Sequence, residues 1–99
     1  RPTSVATYPA ALQDVALIVD ENIAAGDVLA SLKSGAGELL ESITLFDRYD
    51  KIGDGKISLA FSLVFRAQDR TLTGAEITAA REAAVAAAEH ATGAILRTI

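Results

Sequence analysis

Ser58, Ala60 and Ser62, with Tyr49 and the arginines Arg48, Arg66 and Arg97, are the residues of this 99-residue chain best suited to chemistry. The two serines and the alanine alternate along one run, so one side of that run is small and hydroxyl-bearing. Such a floor admits a flat ring and offers hydrogen bonds to its edge. A neighbouring tyrosine supplies a stacking plane, and arginines supply charge or guanidinium stacking. Together these are the means of holding an unpaired base of a nucleic acid. The same small residues equally suit a floor covered by another domain of a longer protein. Tyr49 equally suits packing in a hairpin, since tyrosine is common in strands.

Other constellations carry less. Asp50 to Phe61 imitates a calcium loop, with Asp54 at the fifth position and Gly55 at the turn. Its third position is Ile52, and the twelfth, which needs a bidentate glutamate, is Phe61. Its flanks alternate like strands. The run therefore reads as a hairpin turn. Gly35-Ala36-Gly37 follows a helical stretch and precedes a strand, whereas a phosphate loop needs strand, loop, then helix. His90, the single histidine, sits near the end of a helix, where a cation is favoured by the helix dipole. No pocket or positioned partner for it is legible. The paired carboxylates Asp20 with Glu21 and Glu38 with Glu41 read as solvated loop and strand-edge charges. Asp14 and Asp47 suit the orienting of arginines or loop amides. No nucleophile–base–orienter set is present.

The elements that must position these residues follow from periodicity. Leu12 to Asp20 alternates, with Val15, Leu17 and Val19 on one side and Asp14, Ala16 and Ile18 on the other, as a strand does. Val28, Leu29 and Leu32 have helical spacing, and Gly35 is the expected stop. Leu39 to Tyr49 and Ile57 to Arg66 are two further strands, joined into a hairpin by the turn chemistry of Asp50 to Gly55. Thr73 with Glu76 three residues on is a capping box, opening an alanine-rich helix to Ala91 that Gly93 ends. Ala94 to Thr98 adds a last strand. The order is βαββαβ: an α+β, ferredoxin-like sandwich. Its four-stranded antiparallel sheet carries both helices on one face. Leu59, Phe61, Leu63 and Phe65 belong under the helices, and Ser58, Ala60, Ser62 and Val64 point outward.

Composition bounds the rest. Ninety-nine residues make one domain. There is no cysteine, so neither a disulfide framework nor a thiolate metal site is possible. No apolar run is long enough to cross a bilayer and no signal-peptide plan is seen, so we expect a cytoplasmic protein without membrane contact. The chain also lacks methionine. We expect a segment of a longer polypeptide, with residues 1–7 as linker and 8–99 as the folded domain. The net charge of −4 argues against a strong general nucleic-acid binder. Arg48, Lys51, Lys56, Arg66 and Arg70, against Asp50, Asp54 and Asp69, nevertheless make one locally basic zone. That suits a narrow contact to RNA, and charge alone fits a mixed solvated surface as well.

The order of motifs resembles a known family. Tyr8-Pro9-Ala10 followed by Asp14, Leu45-Phe46-Asp47-Arg48-Tyr49, Ser58-Leu59-Ala60-Phe61, Arg70-Thr71-Leu72 and Gly93-Ala94-Ile95-Leu96-Arg97 stand in that family's own order. It is the C-terminal ferredoxin-fold anticodon-binding domain of the bacterial phenylalanine–tRNA ligase β subunit. The resemblance spans roughly residues 8–97. It implies a binding module that receives the anticodon end of the phenylalanine tRNA, with aminoacylation carried out in a separate α subunit. By position it assigns Asp47, Tyr49, Ser58 and Arg97 to the first anticodon base. With Ala60 and Arg66 of the open face these form the expected RNA-binding set, beside no catalytic and no metal residue. It also implies an α2β2 parent enzyme using ATP and magnesium, no cofactor in this segment, and a monomeric isolated domain. The chain departs from the pattern at the short stretch between Tyr49 and Ser58, where Asp50 and Lys51 replace a usual glycine. It departs also at Gln13, where arginine is usual. The alternative reading is an amino-acid-sensing regulatory βαββαβ domain that binds its ligand at a dimer interface. That reading leaves the Arg70-Thr71-Leu72 turn and Arg97 without a role.

Overall fold

A computed structural model describes residues 7–97. The linker expected at residues 1–7 therefore lies, except for Thr7, outside the described residues. The element order is β1 (Ala11–Asp20), α1 (Ala25–Ala36), a 3-10 turn (Gly37–Leu39), β2 (Leu40–Gly53), β3 (Lys56–Phe65), α2 (Gly74–Thr92) and β4 (Ile95–Leu96). The strands lie in the order β2-β3-β1-β4, each antiparallel to its neighbours. This is the expected ferredoxin-like α+β topology, in which each helix links two parallel strands separated by a third.

The core forms between the sheet and the helix layer. Val15, Leu17 and Val19 of β1 and Leu59, Phe61, Leu63 and Phe65 of β3 are buried, as their alternation requires. Val28 and Leu32 of α1 and Ala80, Ala84, Val85 and Ala88 of α2 complete the same cluster. The alanines of α2 let the helices approach closely. A Cβ built on Gly35 would lie 2.5 Å from the Ala83 carbonyl oxygen and 2.6 Å from the Ala87 Cβ. Here the structure corrects the sequence reading: Gly35 lies inside α1 as a contact to α2. The helix ends at Gly37, whose φ of 76° only glycine adopts readily. The capping box at Thr73 and Glu76 is present in both directions. Gly93 closes α2 in the left-handed conformation.

The hairpin differs from expectation. β2 continues to Gly53, and the turn is the pair Asp54-Gly55, with φ of 57° and 70°. Positive φ at both positions is the two-residue hairpin turn that an Asp-Gly pair favours. The broader stretch from Asp50 to Gly55 holds turn-forming residue types, but Asp50 to Gly53 remain strand. Asp50 and Asp54, the carboxylates of the calcium-like motif, thus stand on a β-hairpin. Among the described residues, β4 pairs Ile95 and Leu96 with Ile18 and Leu17, and the expected strand end at Thr98 lies outside the described residues.

Candidate nucleic-acid interface

A bulge in β2 decides where Tyr49 points. Up to Leu45, which faces Phe61, the core residues of β2 oppose those of β3. Without interruption Tyr49 would then share the parity of Leu45 and turn toward the helices. Phe46 is an extra residue with no partner, so the next pairs are Asp47 with Ala60 and Tyr49 with Ser58. Directly opposed residues share a face, and the slip of one residue moves Asp47 and Tyr49 to the open side. Two more extra residues are absorbed between Tyr49 and Gly53, beyond the site.

β4 brings the fourth residue. Ile95 opposes Ile18 on the open face, so Arg97 two residues on shares it. Its backbone N–H donates to the Ala16 carbonyl at 2.8 Å. Its guanidinium carbon lies 6.0 Å from the centre of the Tyr49 ring, and its Nη1 donates to the Ser58 hydroxyl at 3.5 Å. Both are long contacts. The three side chains are therefore neighbours held in place mainly by backbone pairing. Ser58 is 4% exposed and forms the floor, whereas Tyr49 is 45% exposed and stands up from it.

A cleft of about 590 Å³ opens beside this group. Asp47, Ser58, Ala60 and Arg97, all expected from the sequence, line it. So do Asp14 and Ala16 of β1, the bulged Phe46, and Arg81 of α2. Phe46 and Arg81 were not expected there. Phe46 is 55% exposed, and its place in the bulge is visible only once the strand register is known. The cleft thus combines two carboxylates, two guanidiniums, a small hydroxyl-bearing floor and one exposed ring, Phe46, while Tyr49 stands beside the cleft without lining it. Carboxylates accept from the donor edge of a base, guanidiniums donate to phosphate or stack, and rings stack on base faces.

Arg66 does not join this group. It follows β3 at the far end from Ser58, eight positions away, or roughly 26 Å along a strand. Its Nε donates to Glu41 Oε1 at 2.8 Å, and its Nη1 donates to the Tyr8 carbonyl oxygen. With Arg70 it lines a second cleft of about 490 Å³. The strand parity that suggested an open-face role for Arg66 holds only while the strand lasts. Glu41, read as a solvated charge, is its partner. Arg70 in turn donates to Asp69 at 2.8 Å and to Glu76. The Arg70 guanidinium, followed by the Thr73 backbone N–H, holds the Glu76 carboxyl well below the usual carboxylate range, at about 2. The Arg70-Thr71-Leu72 run is thereby a structural corner, with Leu72 buried beneath it.

The sandwich with its open-face cleft is a ferredoxin-like α+β domain. Residues 6–97 match the family described as the ferredoxin-fold anticodon binding domain, and the chain belongs to that family. It is 56% identical over 95 residues to the phenylalanine–tRNA ligase beta subunit of Thermobifida fusca, covering 94% of this chain and 11% of that protein. It is 58% identical to the same subunit of Streptomyces avermitilis, with the same coverage. To that of Nocardia farcinica it is 54% identical, over 98% of this chain and 12% of that one. The chain thus spans about a tenth of the length of these relatives. Among the described residues no helix is long and apolar enough to cross a membrane, and no cluster of histidine, cysteine and carboxylate side chains could hold a metal ion.

Proposed function

We propose that the chain is the anticodon-binding domain of a phenylalanine–tRNA ligase β subunit and that its open-face cleft receives the first anticodon base. The observation that carries this reading is the convergence of Tyr49, Ser58 and Arg97 through the Phe46 bulge and the Ile18–Ile95 pairing. The base enters with its face against the Tyr49 ring. Ser58 and Ala60 leave room beneath it. Asp47, opposite Ala60, accepts hydrogen bonds from its donor edge. Arg97 balances that carboxylate and reaches the adjoining phosphate. Arg66 has no part in this contact. It ties the chain before β1 to the sheet through Tyr8.

The cleft binds and orients, and its residues hold no nucleophile with a partnered base. ATP and magnesium belong to the parent enzyme. Among the described residues no glycine-rich strand-to-helix loop is available to hold the phosphates of a nucleotide. In the parent the partners are the α subunit and the phenylalanine tRNA, in the cytoplasm. Titration of the chain with a phenylalanine anticodon stem-loop tests the reading, with an unrelated stem-loop of equal length as control. Saturable binding to the first and a markedly weaker response to the second are expected. Equal binding, or none, would overturn it. Sedimentation of the free chain separates the alternative amino-acid-sensing reading, which requires a dimer, whereas the anticodon reading expects a monomer.

A further inference from the structure

We infer that Arg81 of α2 is a second phosphate contact, and that the RNA backbone leaves the cleft around the edge of β1 toward the helix layer. The inference rests on the anticodon reading above and adds a residue and a path to it. Three observations carry it. First, Arg81 lines the same cleft as Asp47, Ser58, Ala60 and Arg97, although it belongs to the opposite layer of the sandwich. The cleft reaches it past Val15 and Leu96, whose side chains belong to the helix-covered side, so among the described residues the opening runs from the open face to the helix layer beside β1.

Second, the other arginines of the described residues have acidic partners. Arg48 pairs with Asp50, Arg66 with Glu41, and Arg70 with Asp69 and Glu76. Arg81 and Arg97, the two in the cleft, form no ion pair among the described residues. That is notable in a chain with 13 acidic residues against 9 basic ones. Third, α2 offers Arg81 no partner of its own. The positions three and four residues away are Ile77, Thr78, Ala84 and Val85, while Glu82 is adjacent and faces elsewhere. Two guanidiniums without an ion pair among the described residues line one cleft, one from the sheet and one from the helix layer, so each is available to a phosphodiester beside a base on the floor. Asp14 and Asp47 between them suit the uncharged base and repel phosphate from the centre. The anionic backbone is therefore directed to the rims.

A phosphate contact appears in the salt dependence of binding, whereas a base contact does not. Each contact to a single strand contributes about 0.7 to the slope of log K against log salt. The test is titration of wild type, Arg81→Gln, Arg81→Lys and Tyr49→Ala with the phenylalanine anticodon stem-loop across a salt series, with thermal melting as a folding check. Arg81→Gln should lower affinity roughly threefold to tenfold and reduce the slope by about 0.7, while Arg81→Lys should keep the slope. The loss should be equal for a loop with an altered first base, since phosphate carries no sequence. If Arg81→Gln leaves slope and affinity unchanged while Tyr49→Ala loses affinity, the path round β1 is wrong and the anticodon site stands. If wild type fails to bind, or Tyr49→Ala binds as wild type does, the anticodon reading itself falls and the role of Arg81 with it.

Discussion

Replacing Tyr49 by alanine separates a binding surface from a core. Its ring is about half exposed, it faces Ser58 across the hairpin, and Arg97 approaches it at 6.0 Å. The fold loses one cross-strand contact and one long cation–π contact, together about 0.5–1.5 kcal/mol. For a domain of this size that lowers the melting temperature by roughly 4–8 °C per kcal/mol. A core aromatic would cost about 3–5 kcal/mol and endanger folding altogether. The RNA loses a stacking plane, worth about 1–3 kcal/mol, which is about fivefold to 150-fold in affinity. Tyr49→Phe retains the ring and should bind within about twofold of wild type. Arg97→Ala should weaken binding as well and lower the melting temperature by no more than Tyr49→Ala does, since it loses only the same long cation–π contact and a long hydrogen bond to Ser58. Fluorescence anisotropy with a labelled stem-loop and a calorimetric melt of each variant give both quantities. A folded Tyr49→Ala with wild-type affinity would refute the placement of the base. So would a collapse of the melt like that of a core deletion, because Tyr49 would then not stand on the open face.

Gly35→Ala should destabilise the domain, because the added methyl meets the Ala83 carbonyl and Ala87 at less than 3 Å. Overpacking costs about 1–3 kcal/mol, against roughly 1 kcal/mol gained in helix propensity; a higher melting temperature would contradict the close packing of the two helices. Glu76→Gln should lower stability at neutral pH. Its carboxyl is held at about 2 when folded and titrates near 4.5 when unfolded. Its contribution is therefore complete above about 4.5 and is lost as pH falls toward 2. The wild-type and variant melts should converge across that window, and a difference that persists at pH 2 would show that charge is not its source. Arg66→Ala should cost a few degrees of melting temperature through loss of Glu41 and the Tyr8 carbonyl. It should leave stem-loop affinity within about twofold; a large loss of affinity with an unchanged melt would return Arg66 to the RNA site.

Much of this arrangement is legible in the sequence because its signals are local. Alternation from Ile57 to Phe65, the Thr73–Glu76 pair and the stop at Gly93 each depend on neighbours along the chain. The open side of β3 follows directly from them. What depends on pairing between strands does not read out in the same way. A strand's alternation puts Tyr49 with Leu45. Only the slip at Phe46 reverses it, and a bulge has no residue type of its own. The family order of motifs required Tyr49 to face outward, and the bulge is how the chain achieves it. Gly35 and Gly37 stand two apart at a helix end. Which of them ends the helix is decided by the alanines of α2, far away in sequence. Arg66 has the right parity but lies just past the last strand residue, where an ion pair governs it. Arg81 lines the cleft together with residues of the sheet, which no pattern within α2 reveals.

In the proposed function one base is read in the Tyr49–Ser58–Arg97 group. The most direct measurement is the ratio of affinities of the wild-type chain for the phenylalanine anticodon stem-loop and for the same loop with only its first base exchanged. A base held by stacking and by hydrogen bonds from its edge should discriminate by about 1–3 kcal/mol, or about fivefold to 150-fold in favour of the matched loop. A ratio of one, with both loops binding saturably, would contradict the account and leave the open face as a surface that holds RNA without reading it.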